Sequence, residues 1–103
     1  MAYTDMIASF EQWPRDVHTV PTTNKTPIWF YVYVESGIIY VETARNHIPK
    51  SNLKHRIKIK TDEYEEMLEL YHKRGHGTAV SKEATTISRC QSYWYGIFSE
   101  MGF

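Results

Sequence analysis

Ile28-Trp29-Phe30-Tyr31-Val32-Tyr33-Val34-Glu35-Ser36-Gly37-Ile38-Ile39-Tyr40-Val41-Glu42-Thr43-Ala44 is the stretch whose reading decides the fold. From Ile28 to Glu35, β-branched and aromatic residues alternate, which places Ile28, Phe30, Val32 and Val34 on one face of a strand and Trp29, Tyr31 and Tyr33 on the other. A second strand runs from Ile38 to about Ala44. With Ser36 and Gly37 as the central residues of a tight hairpin turn, Val34 falls opposite Ile39, Tyr33 opposite Tyr40 and Val32 opposite Val41. That register makes one face aliphatic and leaves the other with Tyr31, Tyr33, Tyr40 and Glu42. A slip of one residue would mix the two sets.

Downstream, His55-Arg56-Ile57-Lys58-Ile59-Lys60 alternates again and predicts a third strand, with Ile57 and Ile59 toward the core and Arg56, Lys58 and Lys60 opposite. Thr61 is the expected N-cap of the helix that follows, with Asp62 and Glu63 in its first turn. Its apolar stripe is Tyr64, Met67, Leu68 and Tyr71, and its end is marked by His72, Lys73, Arg74 and then Gly75. The last helix has the strongest period in the chain: Cys90, Tyr93, Trp94, Ile97, Phe98 and Met101. Ser88 with Gln91 forms a capping box for it, and Gly102 ends it. Gly96, in mid-helix, costs about 1 kcal/mol relative to alanine unless a neighbouring backbone comes close there.

Upstream of the hairpin, Thr4 or Asp5 caps a short amphipathic helix carrying Met6, Ile7, Phe10 and Trp13, stopped by Pro14. The stretch from Arg15 to Pro27, with little periodic hydrophobicity and turn-forming residues throughout its second half, reads as an irregular surface connection. Gly77 to Thr86 is ambiguous between a short strand and a short helix. The expected architecture is one α+β domain over residues 1–103: an N-terminal helix, a three-stranded antiparallel meander and two C-terminal helices packed on the sheet.

Composition narrows the function classes. Twelve basic residues balance twelve acidic ones, so total charge points to neither nucleic acid nor membrane. The longest apolar run, Ile28 to Val34, is about a third of the roughly 20 residues that span a bilayer, and no membrane association is expected. One cysteine, Cys90, rules out an internal disulfide and a four-thiolate metal site. With no secretory signal in the first residues, the cytoplasm is the expected location. Eight tyrosines and three tryptophans are a surplus of rings for one small core, and rings must be buried, covered by a partner or displayed for stacking.

Four constellations could carry chemistry. Arg45, Lys50, Lys54, Arg56, Lys58 and Lys60 form a basic stripe without an intervening acid, followed by the acids of Asp62 to Glu69. On the face of Tyr31, Tyr33 and Tyr40 these cations would make a platform for single-stranded nucleic acid. The competing reading is that the rings pack against a helix or a second subunit and the cations pair with acids of the following helix, and it stands ahead. Two helices separated by Gly77 to Ser88 suggest a DNA-reading helical pair with Ser88, Arg89, Gln91 and Ser92 at the groove and Lys82 on a phosphate, but they carry too few cations. Glu69, His72 and His76 have zinc-ligand spacing only on a continuous helix, which Gly75 interrupts, and His47 and His55 complete no site. Cys90 sits on an apolar stripe, where a core role outweighs a nucleophilic one.

Two look-alikes fall away. Gly37-Ile38-Ile39-Tyr40 resembles the first element of GIY-YIG nucleases, yet no second Tyr-Ile-Gly element follows; Gly75-His76-Gly77-Thr78 follows a helix and lacks the strand-to-helix setting of a phosphate loop.

No catalytic residue, cofactor or metal ligand is therefore assigned, and a non-enzymatic role is favoured over catalysis. The leading expectation is a homodimer or a complex with a protein partner, made through Trp29, Tyr31, Tyr33, Tyr40, Tyr93, Trp94 and Phe98. Nucleic-acid binding through the basic stripe is the first alternative. A small ligand held between the sheet and the aromatic helices is the second.

Overall fold

The fold is seen in a computed structural model that describes residues 3–21, 25–75 and 90–103. It is α+β, with helices packed on a four-stranded antiparallel sheet. Helix α1 spans Tyr3–Gln12, and strands β1 (Arg15–His18), β2 (Trp29–Glu35), β3 (Ile38–Thr43) and β4 (Ile57–Lys58) pair in chain order. A 3-10 turn at Thr61–Glu63 leads into α2 (Tyr64–Gly75), and α3 covers Gln91–Met101.

Residues of β2 and β3 pair as their alternation requires: Val34 with Ile39, Tyr33 with Tyr40 and Val32 with Val41. Ser36 and Gly37 have φ of 52° and 76°, the left-handed pair of a type I′ turn, whose twist matches that of the flanking strands. Phe30, Val32, Ile39 and Val41 are fully buried in one cluster with Met6 and Phe10 of α1, Met67 and Leu70 of α2, and Trp94, Ile97 and Phe98 of α3. The described α-helices therefore all lie on the aliphatic face. The indole N–H of fully buried Trp94 donates to Glu63 at 3.2 Å, which satisfies its polar edge.

The fourth strand, β1, lies in the stretch read as an irregular connection. Its inward positions are Arg15, opposite Val32, and Val17, opposite Phe30. A guanidinium can occupy the inner position because it lies over the rings of Phe10 and Trp13 and donates to Glu100 at 2.9 Å. Tertiary partners, not local alternation, make this a strand. The expected strand over His55 to Lys60 reduces to Ile57–Lys58, although the Ile59 N–H still reaches the Ile39 carbonyl at 2.9 Å and Ile59 is buried.

Helix starts also differ from expectation. Helix α1 begins at Tyr3, ahead of Thr4 and Asp5. Thr61 opens the 3-10 turn and does not cap α2; its hydroxyl instead bonds the Tyr3 hydroxyl at 2.8 Å. The Ser88 cap, the segment Gly77 to Thr86 and His76 lie outside the described residues. At the far end, Gly102 (φ 76°) closes α3: its N–H bonds the Ser99 carbonyl, and the Phe103 N–H bonds that of Phe98 at 3.0 Å. Phe103 also stacks on Phe98, the apolar contact that accompanies this type of cap.

Gly96 marks where α3 meets the sheet. A Cβ there would lie 2.6 Å from the His18 carbonyl oxygen and 2.9 Å from Cζ of Phe30. The close approach that the mid-helix glycine required is present. Gly96→Ala gains about 1 kcal/mol of helix propensity but overpacks a backbone atom, at a cost of roughly 1–3 kcal/mol. The expected net effect in thermal unfolding is a lower Tm. Gly75→Ala, whose Cβ meets nothing within 4 Å, should leave Tm unchanged or raised.

Candidate binding face

The second face of the sheet is built by the outward residues of the same strands. Trp29, Tyr31, Tyr33 and Glu35 come from β2, Tyr40 and Glu42 from β3, Lys58 from β4, and Asp16 and His18 from β1. Tyr33 lies 5.9 Å from Tyr31 and 5.7 Å from its cross-strand partner Tyr40, ring centre to ring centre. The three rings form a continuous row.

Side chains from the β3–β4 connection lie on these rings. The Arg45 guanidinium sits 4.1 Å above Tyr31, that of Arg56 3.9 Å above Tyr40, and the His47 ring stacks on Trp29 at 3.8 Å. His18, opposite Trp29 on β1, meets the indole edge-on at 4.9 Å. Carboxylates are threaded between the cations. The Tyr33 hydroxyl donates to Glu42 at 3.0 Å, Arg45 lies 3.7 Å from Glu42, and Arg56 donates to Glu35 and to the Tyr33 hydroxyl. Both hydrogen bonds hold the Arg56 guanidinium more firmly protonated, the Tyr33 bond most.

Asp16 fastens the connection to the sheet. Its side chain is 1% exposed and accepts from the backbone N–H of Arg45 at 2.9 Å, that of Asn46 at 2.8 Å, and Nδ1 of His47 at 2.8 Å. Farther along, the Trp29 N–H donates to the Pro49 carbonyl and the Ser51 N–H to that of Trp29. An ionised carboxylate only accepts, so Nδ1 of His47 carries a proton and donates it to Asp16. Burial pushes the Asp16 carboxyl up, but the bonds from Arg45, His47 and Asn46, with the charge of His47, outweigh it. The net result is a carboxyl held below its ordinary value of 3.8.

The structure brings together four of the seven residues expected at a partner surface: Trp29, Tyr31, Tyr33 and Tyr40. The other three lie on the opposite side of the sheet. Trp94 and Phe98 are 0% exposed, and half-buried Tyr93 meets Phe30 edge-on. Trp94 and Phe98 are core residues, Tyr93 packs against the core, and with Phe10 and Phe30 they occupy the interior between sheet and helices, the place of the small-ligand alternative. Of the basic stripe, Arg45 and Arg56 lie on rings and pair with acids of the sheet itself, not with those of α2. Lys50, Lys54, Lys58 and Lys60 are exposed.

Burial pushes the Cys90 thiol up, away from the thiolate a nucleophile needs. His72 is exposed in the last turn of α2, and among the described residues no cluster of His, Cys, Asp and Glu is disposed to hold a metal ion. Nor is any described helix long and apolar enough to cross a membrane. Asp16, His18 and His47 escaped sequence reasoning because their partners lie about 10 to 30 positions away and carry no local period. No protein family, curated protein or solved structure matches this chain.

Asp16→Ala should destabilise the fold by about 2–4 kcal/mol, since it strands three donors and a buried site. The native carboxyl titrates below its unfolded value, so its contribution is present above about pH 4 and is lost as pH falls through the native value. Urea unfolding from pH 6 to pH 2.5 should therefore show a smaller acid loss of stability in Asp16→Asn than in the unaltered chain.

Proposed function

We propose that this protein is a non-enzymatic docking module that associates with a second copy of itself through the outer face of the sheet. The observation that carries the reading is the interleaving of Arg45, Arg56 and Lys58 with Glu35 and Glu42 around the row of Tyr31, Tyr33 and Tyr40. Tyrosine and arginine are the residues that contribute most at interface centres. A face bearing both charge signs is self-complementary under a two-fold axis, where each copy meets the other's opposite charges. The sheet edges offer less. β4 is two residues long and carries Lys58 between Arg56 and Lys60, charges that oppose strand addition, and α3 packs against β1.

A second reading has support of its own: exposed Lys50, Lys54, Lys58 and Lys60 could contact the phosphates of a nucleic acid, with the neighbouring rings for bases. The carboxylates of Glu35 and Glu42 in the middle of the face weigh against it. The cytoplasm is the location we propose, on the single cysteine.

Light scattering coupled to gel filtration should give twice the chain mass at high concentration. Tyr33→Ala with Tyr40→Ala should weaken association by about 30-fold or more, as a loss of about 2 kcal/mol implies. Trp13→Ala, exposed but outside this face, should change nothing. A monomer at every concentration would overturn the docking reading. Anisotropy of labelled single-stranded oligonucleotides tests the second: binding that falls steeply with salt and disappears in Lys58→Glu with Lys60→Glu would establish it in place of the first.

A further inference from the structure

We propose that a hollow at the C-terminal end of α2, away from the sheet face, binds a small carboxylate with an apolar body. The hollow holds about 510 Å³ and is walled by Val20, Pro21, Tyr71 and Phe103, with His72 and Arg74 at its polar side. Its volume falls in the range of roughly 300–1,000 Å³ typical of small-molecule sites. Three separate elements converge on it: the segment that leaves β1, the last turn of α2, and the C-terminal residue placed by the turn at Gly102.

The ligand class follows from the lining. Among the described lining side chains two are able to carry positive charge, His72 and Arg74, and none is acidic. Arg74 is already oriented. One N–H donates to the Val20 carbonyl, and the guanidinium carbon lies 4.6 Å from the centre of the Tyr95 ring. A guanidinium has five N–H groups, so donors remain for the paired bonds it makes to a carboxylate. The carbonyl end of α2 works against an anion here, and Lys73 and His72 beside Arg74 offset it. Phosphate, with its larger charge, would call for more donors than this mostly apolar wall supplies.

Tyr95 packs behind this wall. It is 6% exposed, and its hydroxyl has no hydrogen-bond partner, although its ring adjoins two residues of the wall, Tyr71 and Arg74. A buried tyrosine hydroxyl ordinarily finds a partner. Tyr95 backs Tyr71 and Arg74 without itself walling the hollow.

Amide chemical shifts of the whole chain, recorded during titration with benzoate, acetate and benzyl alcohol, test the proposal. The expected result is saturable benzoate-induced shifts centred on Val20, Tyr71, Arg74 and Phe103. Acetate should bind at least tenfold more weakly for lack of an apolar body, and benzyl alcohol for lack of charge. Arg74→Gln should lose at least tenfold in benzoate affinity, while Lys73→Gln, a cation paired with Glu69, should not. Benzyl alcohol binding as well as benzoate would overturn the proposal, as would shifts centred elsewhere or none at all. The comparison of the three probes on the unaltered chain decides the matter even where Arg74→Gln fails to fold.

Discussion

The pairing of Tyr33 with Tyr40 across the Ser36-Gly37 turn is the constraint on which the rest of the molecule depends. Side chains alternate with a period of two, so this single register assigns every residue of both strands to a face. Phe30, Val32, Ile39 and Val41 then present a continuous aliphatic surface, and only that surface can seat the three described helices. Helix α3 makes the most intimate use of it. From Trp94 to Phe98 every residue of α3 is buried, and Gly96 lets its backbone come close to His18 of β1 and the ring of Phe30. A one-residue slip would bring tyrosines and carboxylates beneath that helix, at a desolvation cost no local rearrangement could offset.

The sheet edge beyond β2 depends on a different kind of interaction. β1 is short and places a charged residue at an inward position, so hydrophobic burial alone gives it little hold. Arg15 fastens it from the helical side through Phe10, Trp13 and Glu100, and Asp16 fastens it from the other through the N–H donors of residues 45–47. A buried carboxylate is costly without such donors and stabilising with them. One strand and the connection that crosses to it are thus mutually dependent. The same carboxylate that holds β1 also sets His47 on Trp29 and brings Arg45 to Tyr31.

How much of this could be read from the residues follows from the range of each interaction. The β2–β3 hairpin, its register and the α+β class were legible because alternation and a two-residue turn are local signals. The requirement at Gly96 was legible as well, since a glycine in a strongly periodic helix calls for a close neighbour. β1 was not, because Arg15-Asp16-Val17-His18 has no period of its own and becomes a strand only when Phe30 and Val32 are beside it. At the candidate face, Tyr31, Tyr33 and Tyr40 were grouped by alternation. The cations laid over them, and the burial of Trp94 and Phe98 within this chain's own core, depend on how the helices and the β3–β4 connection fold back. Periodicity identified those two rings as apolar but could not say whether this chain or another would cover them.

The covering of the outer rings bears on what that face can receive. A base stacking directly on Tyr31, Tyr40 or Trp29 would first have to displace Arg45, Arg56 or His47. A cation–ring contact contributes about 0.5–2 kcal/mol, depending on its exposure. That is comparable with the 1–3 kcal/mol that stacking one base returns, so displacement would cancel much of the gain. A protein surface makes no such demand. It can meet the guanidinium groups where they lie, adding carboxylates to donors that Glu35 and Glu42 leave unfilled, while the rings beneath hold those groups in place and reduce the ordering entropy lost on binding. Capped rings thus disfavour the intercalating ligand and favour the flat, mixed-charge one.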